Sequence, residues 1–209
     1  MTSNFPVVQH TFNFKCTQCA DCCTGDQIVL LNLFDLYKLA GFLNLQNTVQ
    51  LFEKGLLILH KENGVYRPQI RFKKLPFKFC PFLINDVNES GALKGWCRLH
   101  SSAKPLVCAL SPIGLRFDVQ QDHLEFLLVP PTGSCPGLKE QQVQNRDQYL
   151  KSYQKEIELQ KRYFKILESC KAKEWNKTQF KQNLYGFSVT SPFEEILETL
   201  ENKFLKSGS

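Results

Sequence analysis

The chain has 209 residues, of which 43% are hydrophobic and 17 are Phe, enough for one packed domain with or without a helical appendage. Its net charge is only +6, and the excess of basic residues is equal before and after Cys135. This even distribution disfavours a nucleic-acid-binding arm. The first residues lack the basic start and apolar segment of a signal peptide, and apolar runs elsewhere are too short to span a bilayer. We therefore expect a cytoplasmic protein with no membrane span.

The first third of the chain predicts an extended start followed by two helices and a pair of strands. Residues 1–13 are expected to be extended or irregular, and residues 28–31 to form a short buried strand. Asn32, with Asp35 three residues later, predicts a helix N-terminus, and Gly41 predicts its end. A second helix is expected at residues 47–54. Alternation of apolar and polar residues then predicts strands around Gly64 and Pro68.

The rest of the chain predicts one hairpin and then helices. Residues 113–119 and 123–129 alternate on either side of a polar turn, which is the strongest hairpin signal in the sequence. Beyond Gly137 the pattern is helical to about residue 173, with apolar residues three, four or seven apart. Such a stripe indicates core packing, and a face for a protein partner is the alternative. Ser191 followed by Pro192 predicts the start of a last amphipathic helix.

Nine cysteines are the most unusual feature of the composition, and four of them fall within eight residues. Two-residue gaps between cysteines let a tight turn direct neighbouring sulfurs at one point. In a reducing compartment, clustered cysteines are typical of metal sites rather than of disulfides. We predict that distant cysteines in Pro- or Gly-marked contexts return to the first group and close one metal centre. The predicted ligands are Cys16, Cys19, Cys22, Cys23, Cys80, Cys97, Cys108 and Cys135.

The ligand pattern leaves the metal open between zinc and an iron–sulfur cluster. Eight thiols could fill two zinc sites, yet zinc ribbons use paired Cys-x2-Cys units on both sides. Here the far cysteines come singly, which favours an iron–sulfur cluster, for example of the 4Fe–4S type. Adjacent cysteines in an extended chain point to opposite sides, so we expect Cys22 to be the ligand and Cys23 to serve a second site or the core. The ninth, Cys170, lies on the inward face of the predicted long helix and is expected to be a small buried hydrophobe.

These residues carry a resemblance to a known family. Cys16-x2-Cys19-x2-Cys22-Cys23, followed by Cys-Pro-Phe-Leu, Cys-Arg-Leu-His, Lys-Pro-Leu-Val-Cys and Cys-Pro-Gly, resembles the YkgJ-type CxxCxxCC proteins, described as zinc- or iron-chelating. The similarity spans residues 14–137. His100 stands where the family usually has Tyr, and Lys104 where it usually has Arg, so a bidentate anchor is lost there. The resemblance implies metal chelation through the eight cysteines and a distant relation to flagellin lysine methylase, which is associated with an iron–sulfur cluster.

The sequence thus predicts an α+β fold with a cysteine-bound metal core over residues 1–137 and a helical extension, residues 138–209, packed on it. The expected function is metal binding, with an iron–sulfur cluster or zinc as cofactor. A cluster-containing enzyme similar to the protein lysine methylase is one alternative, although no glycine-rich nucleotide loop is present. A zinc-stabilised interaction module, meeting a protein partner through the C-terminal helices, is the other.

Overall fold

The computed structural model describes residues 5–75, 78–87, 91 and 93–206. Within them the chain forms an α+β fold in which short antiparallel strand pairs precede a long C-terminal helix, as the sequence predicts. The helices are α1 (Leu33–Phe42), α2 (Val49–Glu53), α3 (Leu106–Leu110), α4 (Arg146–Leu150), α5 (Gln154–Lys171), α6 (Lys177–Asn183) and α7 (Phe193–Leu205). Single turns of 3-10 helix occur at Asp21–Cys23, Pro136–Leu138 and Lys151–Tyr153.

The described strands pair as four separate two-stranded antiparallel sheets. Three of these are hairpins of neighbouring strands: β2 (Leu57–Glu62) with β3 (Val65–Ile70), β4 (Leu83–Val87) with β5 (Leu93–Cys97), and β6 (Ile113–Asp118) with β7 (His123–Leu128). The fourth joins β1 (Thr11–Asn13) to β8 (Val143–Asn145), more than 130 residues away along the chain. This last pairing fixes the start of the chain against the segment that follows Cys135.

Local signals account for several elements. Asn32 accepts a hydrogen bond from the Asp35 amide (2.7 Å) and Asp35 Oδ2 accepts one from the Asn32 amide (3.1 Å), so the predicted N-terminus of α1 is a complete capping box. The helix passes through Gly41 and ends at Phe42, one residue beyond the expected stop. The predicted strands around Gly64 and the hairpin after Ile113 are confirmed.

Three predicted elements differ from the structure. Residues 28–31 form no strand; Leu30 makes only an isolated bridge to Gln69. The polar run at residues 85–95, taken as a loop, contains the ends of the β4–β5 hairpin. The predicted long helix does not begin at Gly137, because β8, α4 and a 3-10 turn precede α5, and Val143 is 66% exposed rather than on the buried stripe.

Two clusters of buried side chains form the interior, and both draw on residues before and after Gly137. The larger joins α1, β2 and β3 to the inner faces of α5, α6 and α7. The smaller joins β1, α3 and β6 to Leu150 and Ile157. The apolar stripe of α5 is therefore core packing, as expected, and the domain boundary at residue 137 stays a prediction. Among the described residues, no helix combines the length and apolarity needed to cross a membrane.

Candidate metal centre

The segment of residues 16–23, which carries the first four cysteines and is called the N-terminal cysteine loop, is tightly curved. Gln18 and Ala20 adopt left-handed backbone conformations, with φ of 58° and 64°, and the 3-10 turn Asp21–Cys23 follows directly. A left-handed residue followed by right-handed ones turns successive amides toward one concave side, the backbone arrangement called a nest, which is found at anion and iron–sulfur sites. The expectation that Cys22 and Cys23 point to opposite sides is wrong: because the segment is helical rather than extended, their sulfurs lie 4.0 Å apart.

Backbone hydrogen bonds bring three distant segments to this loop. The Cys80 amide donates to the Cys23 carbonyl (2.7 Å), the Gly95 amide to the Gln18 carbonyl (2.9 Å), and the Lys15 amide to the Gly137 carbonyl (3.0 Å). An isolated bridge between Thr24 and Phe79 extends the first of these contacts. The segments that carry Cys80, Cys97 and Cys135 are therefore fixed against the loop that carries the first four thiols.

Two glycines allow this close approach. A Cβ atom at Gly95 would lie 2.1 Å from the Cβ of Ala20, and one at Gly137 would lie 2.4 Å from the carbonyl oxygen of Lys15. Neither position has space for a side chain, because non-bonded carbon atoms prefer separations of about 3.5–4.0 Å. Cys97 and Cys135, each two residues from one of these glycines, thus come next to the loop only because the glycines lack side chains.

Three of the distant cysteines share one local geometry. Backbone amides act to lower the pKa of each thiol: those of Phe82 and Leu83 at Cys80, that of Leu99 at Cys97, and those of Gly137 and Leu138 at Cys135. In each case an amide two residues later along the chain faces the sulfur. Amide hydrogen bonds lower the pKa of these thiols because they favour the thiolate, the form that binds metals.

Cys80 is buried, and Cys97 and Cys108 are half-buried. Burial is the main cause that raises the pKa of each, to about 11 for Cys80. Negative charge on neighbouring cysteines raises them further: Cys97 and Cys22 act on Cys80, and Cys80 and Cys22 act on Cys108. Thiols that influence one another in this way are close in space, although they belong to segments far apart in the sequence.

Cys22 and Cys23 form an asymmetric pair. A hydrogen bond from Cys23, together with the positive charge of Lys104, lowers the pKa of Cys22 to about 7, against the opposing effect of burial. The same hydrogen bond, burial, and the charges of Cys22, Cys80 and Cys108 raise the pKa of Cys23. Of the two thiols, the more exposed Cys22 is therefore the one that ionises more readily.

The remaining predicted ligands lie at the outer edge. Cys16 and Cys19 are exposed, and Cys135 is half-buried. Burial raises the pKa of Cys135, and the charges of Cys19 and Cys22 raise it further. Cys16 contributes, after burial and Tyr153, to raising the pKa of Tyr149 to about 12. Cys170 is 1% exposed in the larger core cluster and is a buried apolar residue, as predicted.

Two observations bear on whether the site fits a metal or cluster. The donor set is chemically suitable, because up to eight thiols surround amides that can face bound anionic sulfur. Thr17 Oγ1, inside the N-terminal loop, is buried without a hydrogen-bond partner in the described part of the chain. Yet no group of three or more His, Cys, Asp or Glu side chains among the described residues is arranged to hold a metal ion. The donor types fit a metal or cluster, whereas their arrangement in the described residues does not form a ligand set.

Sequence reasoning found all the cysteines but not the residues that arrange them. Thr17, Gly95 and Ala20 carry no motif, and their roles depend on contacts between distant segments. A cavity of about 590 Å³ lies elsewhere, at the tip of the β6–β7 hairpin, and no cysteine lines it.

Comparison with known proteins returned no match to a family model, to a curated protein or to a solved structure.

Proposed function

We propose that this chain is a metal-binding protein that holds an iron–sulfur cluster or zinc through its clustered cysteines. The observation that carries the proposal is that backbone hydrogen bonds join the segments of Cys80, Cys97 and Cys135 to the N-terminal cysteine loop. The thiol of Cys108, on a fifth segment, interacts electrostatically with those of Cys80 and Cys22. Seven of the predicted ligands act on one another in this way: Cys19, Cys22, Cys23, Cys80, Cys97, Cys108 and Cys135. Cys16 is the eighth proposed ligand, at the edge of the loop.

Buried thiols must lose their protons before they can bind a metal. Burial disfavours their ionised form, so most of them carry protons at neutral pH. A bound metal would replace those protons, and the amides near Cys80, Cys97 and Cys135 would then stabilise thiolates. When bound, the group would supply structural crosslinking or, in the case of a cluster, electron transfer.

Four thiolates around zinc at about 2.3 Å place their sulfurs roughly 3.8 Å apart. Cys22 and Cys23 already lie 4.0 Å apart. We propose that the other sulfurs move inward on loading, with the exposed Cys16 and Cys19 making the largest movement because they are least constrained.

An iron–sulfur cluster is the form we favour. The single far cysteines, the amide-lined loop at Ala20 and the similarity to the CxxCxxCC pattern all support it. No observation favours catalysis, since the cavity of about 590 Å³ lies away from the cysteines. A reducing cytoplasm is the compartment we propose, because it keeps these thiols free for metal.

Anaerobic purification with metal analysis and a visible absorption spectrum tests this proposal. A brown protein with iron and acid-labile sulfide supports the cluster, and a colourless protein with stoichiometric zinc supports the alternative. Cys108→Ser and Cys80→Ser are expected to lose metal, whereas Cys170→Ser, also buried but in the apolar core, is the matched control and should retain it. Preparations that take up neither metal after anaerobic reconstitution would overturn the proposal.

A further inference from the structure

The backbone just before Cys108 is held by two side chains of α1. Asp35 Oδ1 accepts a hydrogen bond from the Leu106 amide (2.9 Å), and Lys38 Nζ donates to the Lys104 carbonyl (2.9 Å). The two charged groups are 3.4 Å apart and so also form an ion pair. The segment Lys104–Pro105–Leu106 is therefore hydrogen-bonded at both ends to side chains that lie one helical turn apart on α1.

The Asp35–Lys38 pair is buried and is connected by polar contacts to helix α5. Asp35 is 1% exposed, and the Lys38 side chain is 11% exposed. Lys38 also pairs with Glu156 (2.6 Å), and Asn32, the helix cap, donates to Gln160 (2.7 Å). Burying a carboxylate is costly unless it is paired and hydrogen-bonded. The ion pair with Lys38 and the hydrogen bonds from the Asn32 and Leu106 amides offset that cost for Asp35.

The geometry specifies the orientation of Cys108. Helix α3 is a single turn, and the Cys108 amide bonds back to the Pro105 carbonyl (3.0 Å), within the hydrogen-bonded segment. Leu106 and Leu110 enter the smaller core cluster, whereas Cys108 packs against the larger one and interacts with Cys80 and Cys22. A helix of one turn has few backbone hydrogen bonds of its own, so its orientation depends on its contacts with neighbouring elements. The buried side chains of Leu106 and Leu110 supply one set of contacts, and the two bonds from α1 supply another.

We propose that Asp35 and Lys38 are positioning residues of the metal centre, which hold the thiol of Cys108 toward the other cysteines. The proposal rests on the proposed function for the role of Cys108 as a ligand. It assigns to α1, which carries no cysteine, the task of fixing one ligand before metal arrives. Residues that orient metal ligands typically change metal affinity by about 10- to 100-fold when removed.

The test uses the full-length protein in two states. Lys38→Met removes the donor and keeps the length of the side chain, Lys38→Arg restores a donor, and Asp35→Ala removes the acceptor. Gln160→Met is the matched control, because it breaks a buried bond of the same network without touching residues 104–106.

The first readout needs no metal. Native iodoacetamide labelling of metal-free protein, followed by peptide mass spectrometry, compares Cys108 with Cys170, which is 1% exposed and reports general opening of the core. We expect Lys38→Met and Asp35→Ala to raise the Cys108 rate relative to Cys170 by about tenfold, as for loss of a hydrogen bond to a charged group. Lys38→Arg and Gln160→Met should leave the ratio near that of the wild type.

The second readout is the affinity for Co²⁺, followed by its thiolate absorption. Lys38→Met should bind about 10-fold or more weakly, and Lys38→Arg should recover most of the affinity. A ratio of Cys108 to Cys170 labelling unchanged in Lys38→Met would overturn the positioning role. If wild-type protein binds no metal while the labelling ratio still rises, the proposed function fails and the hold on Cys108 stands.

Discussion

Replacing Gly95 with alanine would insert a methyl group where the N-terminal cysteine loop already lies. The new Cβ would fall 2.1 Å from Ala20 Cβ, 3.1 Å from Ala20 Cα and 3.2 Å from Leu83 Cδ1. Relief requires the loop and β5 to separate by roughly 1 Å or more, since carbon contacts settle near 3.5–4.0 Å. The Gly95 amide bond to Gln18 (2.9 Å) would be stretched at the same time.

Overpacking of this kind typically costs about 1–3 kcal/mol. For a chain of 209 residues each kcal/mol lowers the melting temperature by roughly 2–4 °C, so we expect Gly95→Ala to melt about 2–12 °C lower. Metal content per folded molecule should also fall, because Cys97 moves away from the thiols of the loop. Circular dichroism melts and metal analysis of the folded fraction measure the two effects.

Two further variants make the comparison specific. Gly114→Ala creates a contact of 2.6 Å with Val129 Cγ2 in the β6–β7 hairpin, so it should destabilise the fold without lowering metal content. Ala20→Gly removes the 2.1 Å contact and suits the left-handed backbone at that position, so the double variant Gly95→Ala/Ala20→Gly should regain most of the loss. Unchanged melting and full metal content in Gly95→Ala would refute the close approach on which the site depends.

Three other predictions follow from charge and ionisation. At pH 7 the metal-free protein should react with iodoacetamide at Cys22 well before Cys80. The reason is that the hydrogen bond from Cys23 lowers the pKa of Cys22 to about 7, while burial raises that of Cys80 to about 11. Peptide mapping that shows the reverse order would contradict this prediction. Zinc uptake in a pH-stat should release about one proton per buried thiol bound, because the thiols are protonated when metal-free. For the same reason the affinity for zinc should rise with pH across the neutral range. Zinc uptake without release of acid would exclude the buried thiols as ligands. The bidentate Arg162–Glu201 pair (2.7 and 2.6 Å) lowers the pKa of Glu201, so its stabilisation is present above the unfolded value of about 4.3 and lost as pH falls through the folded one. Glu201→Gln should cost about 0.5–1 kcal/mol at pH 7 and progressively less as pH falls below about 4.3, and a difference in stability from wild type that does not change with pH would refute it.

The elements that the sequence predicts well are those with strong local signals. The capping box of α1 needs only residues three apart, and the β6–β7 hairpin has clean alternation on both strands. The start of α7 was displaced by one residue, because Pro192 rather than Ser191 occupies the cap position. In such cases short-range chemistry decides the conformation and the tertiary fold agrees with it.

The β4–β5 hairpin could not be predicted, because its residues do not alternate. Asn85, Asp86 and Val87 are all exposed, so strand β4 has no buried apolar face that the sequence pattern could indicate. Its other strand is fixed by contact with the loop at Ala20, through Gly95, which is a tertiary effect. The same limit applies to Cys22 and Cys23, whose relative direction depends on a left-handed residue that is not glycine.

The candidate site is divided in the same way. The cysteines can be recognised in the sequence from their type and spacing. The hydrogen bond between Asp35 and Leu106 cannot, because the two residues lie 71 positions apart. Likewise the capping role of Asp35 was foreseen and its second hydrogen bond was not, because one carboxylate oxygen serves the helix and the other serves a distant segment. The types of the candidate ligands can be predicted from the sequence, whereas their orientation depends on the packing of the whole fold.

The pairing of β1 with β8 has a consequence for synthesis. Cys135 follows Cys23 by 112 residues, and β8 follows that cysteine. At about 5–20 residues per second, the first four cysteines are made roughly 6–22 seconds before Cys135. During that interval they lack the neighbours that would shield them from oxidants and stray ions. The proposed centre can therefore be completed only after most of the chain has been translated.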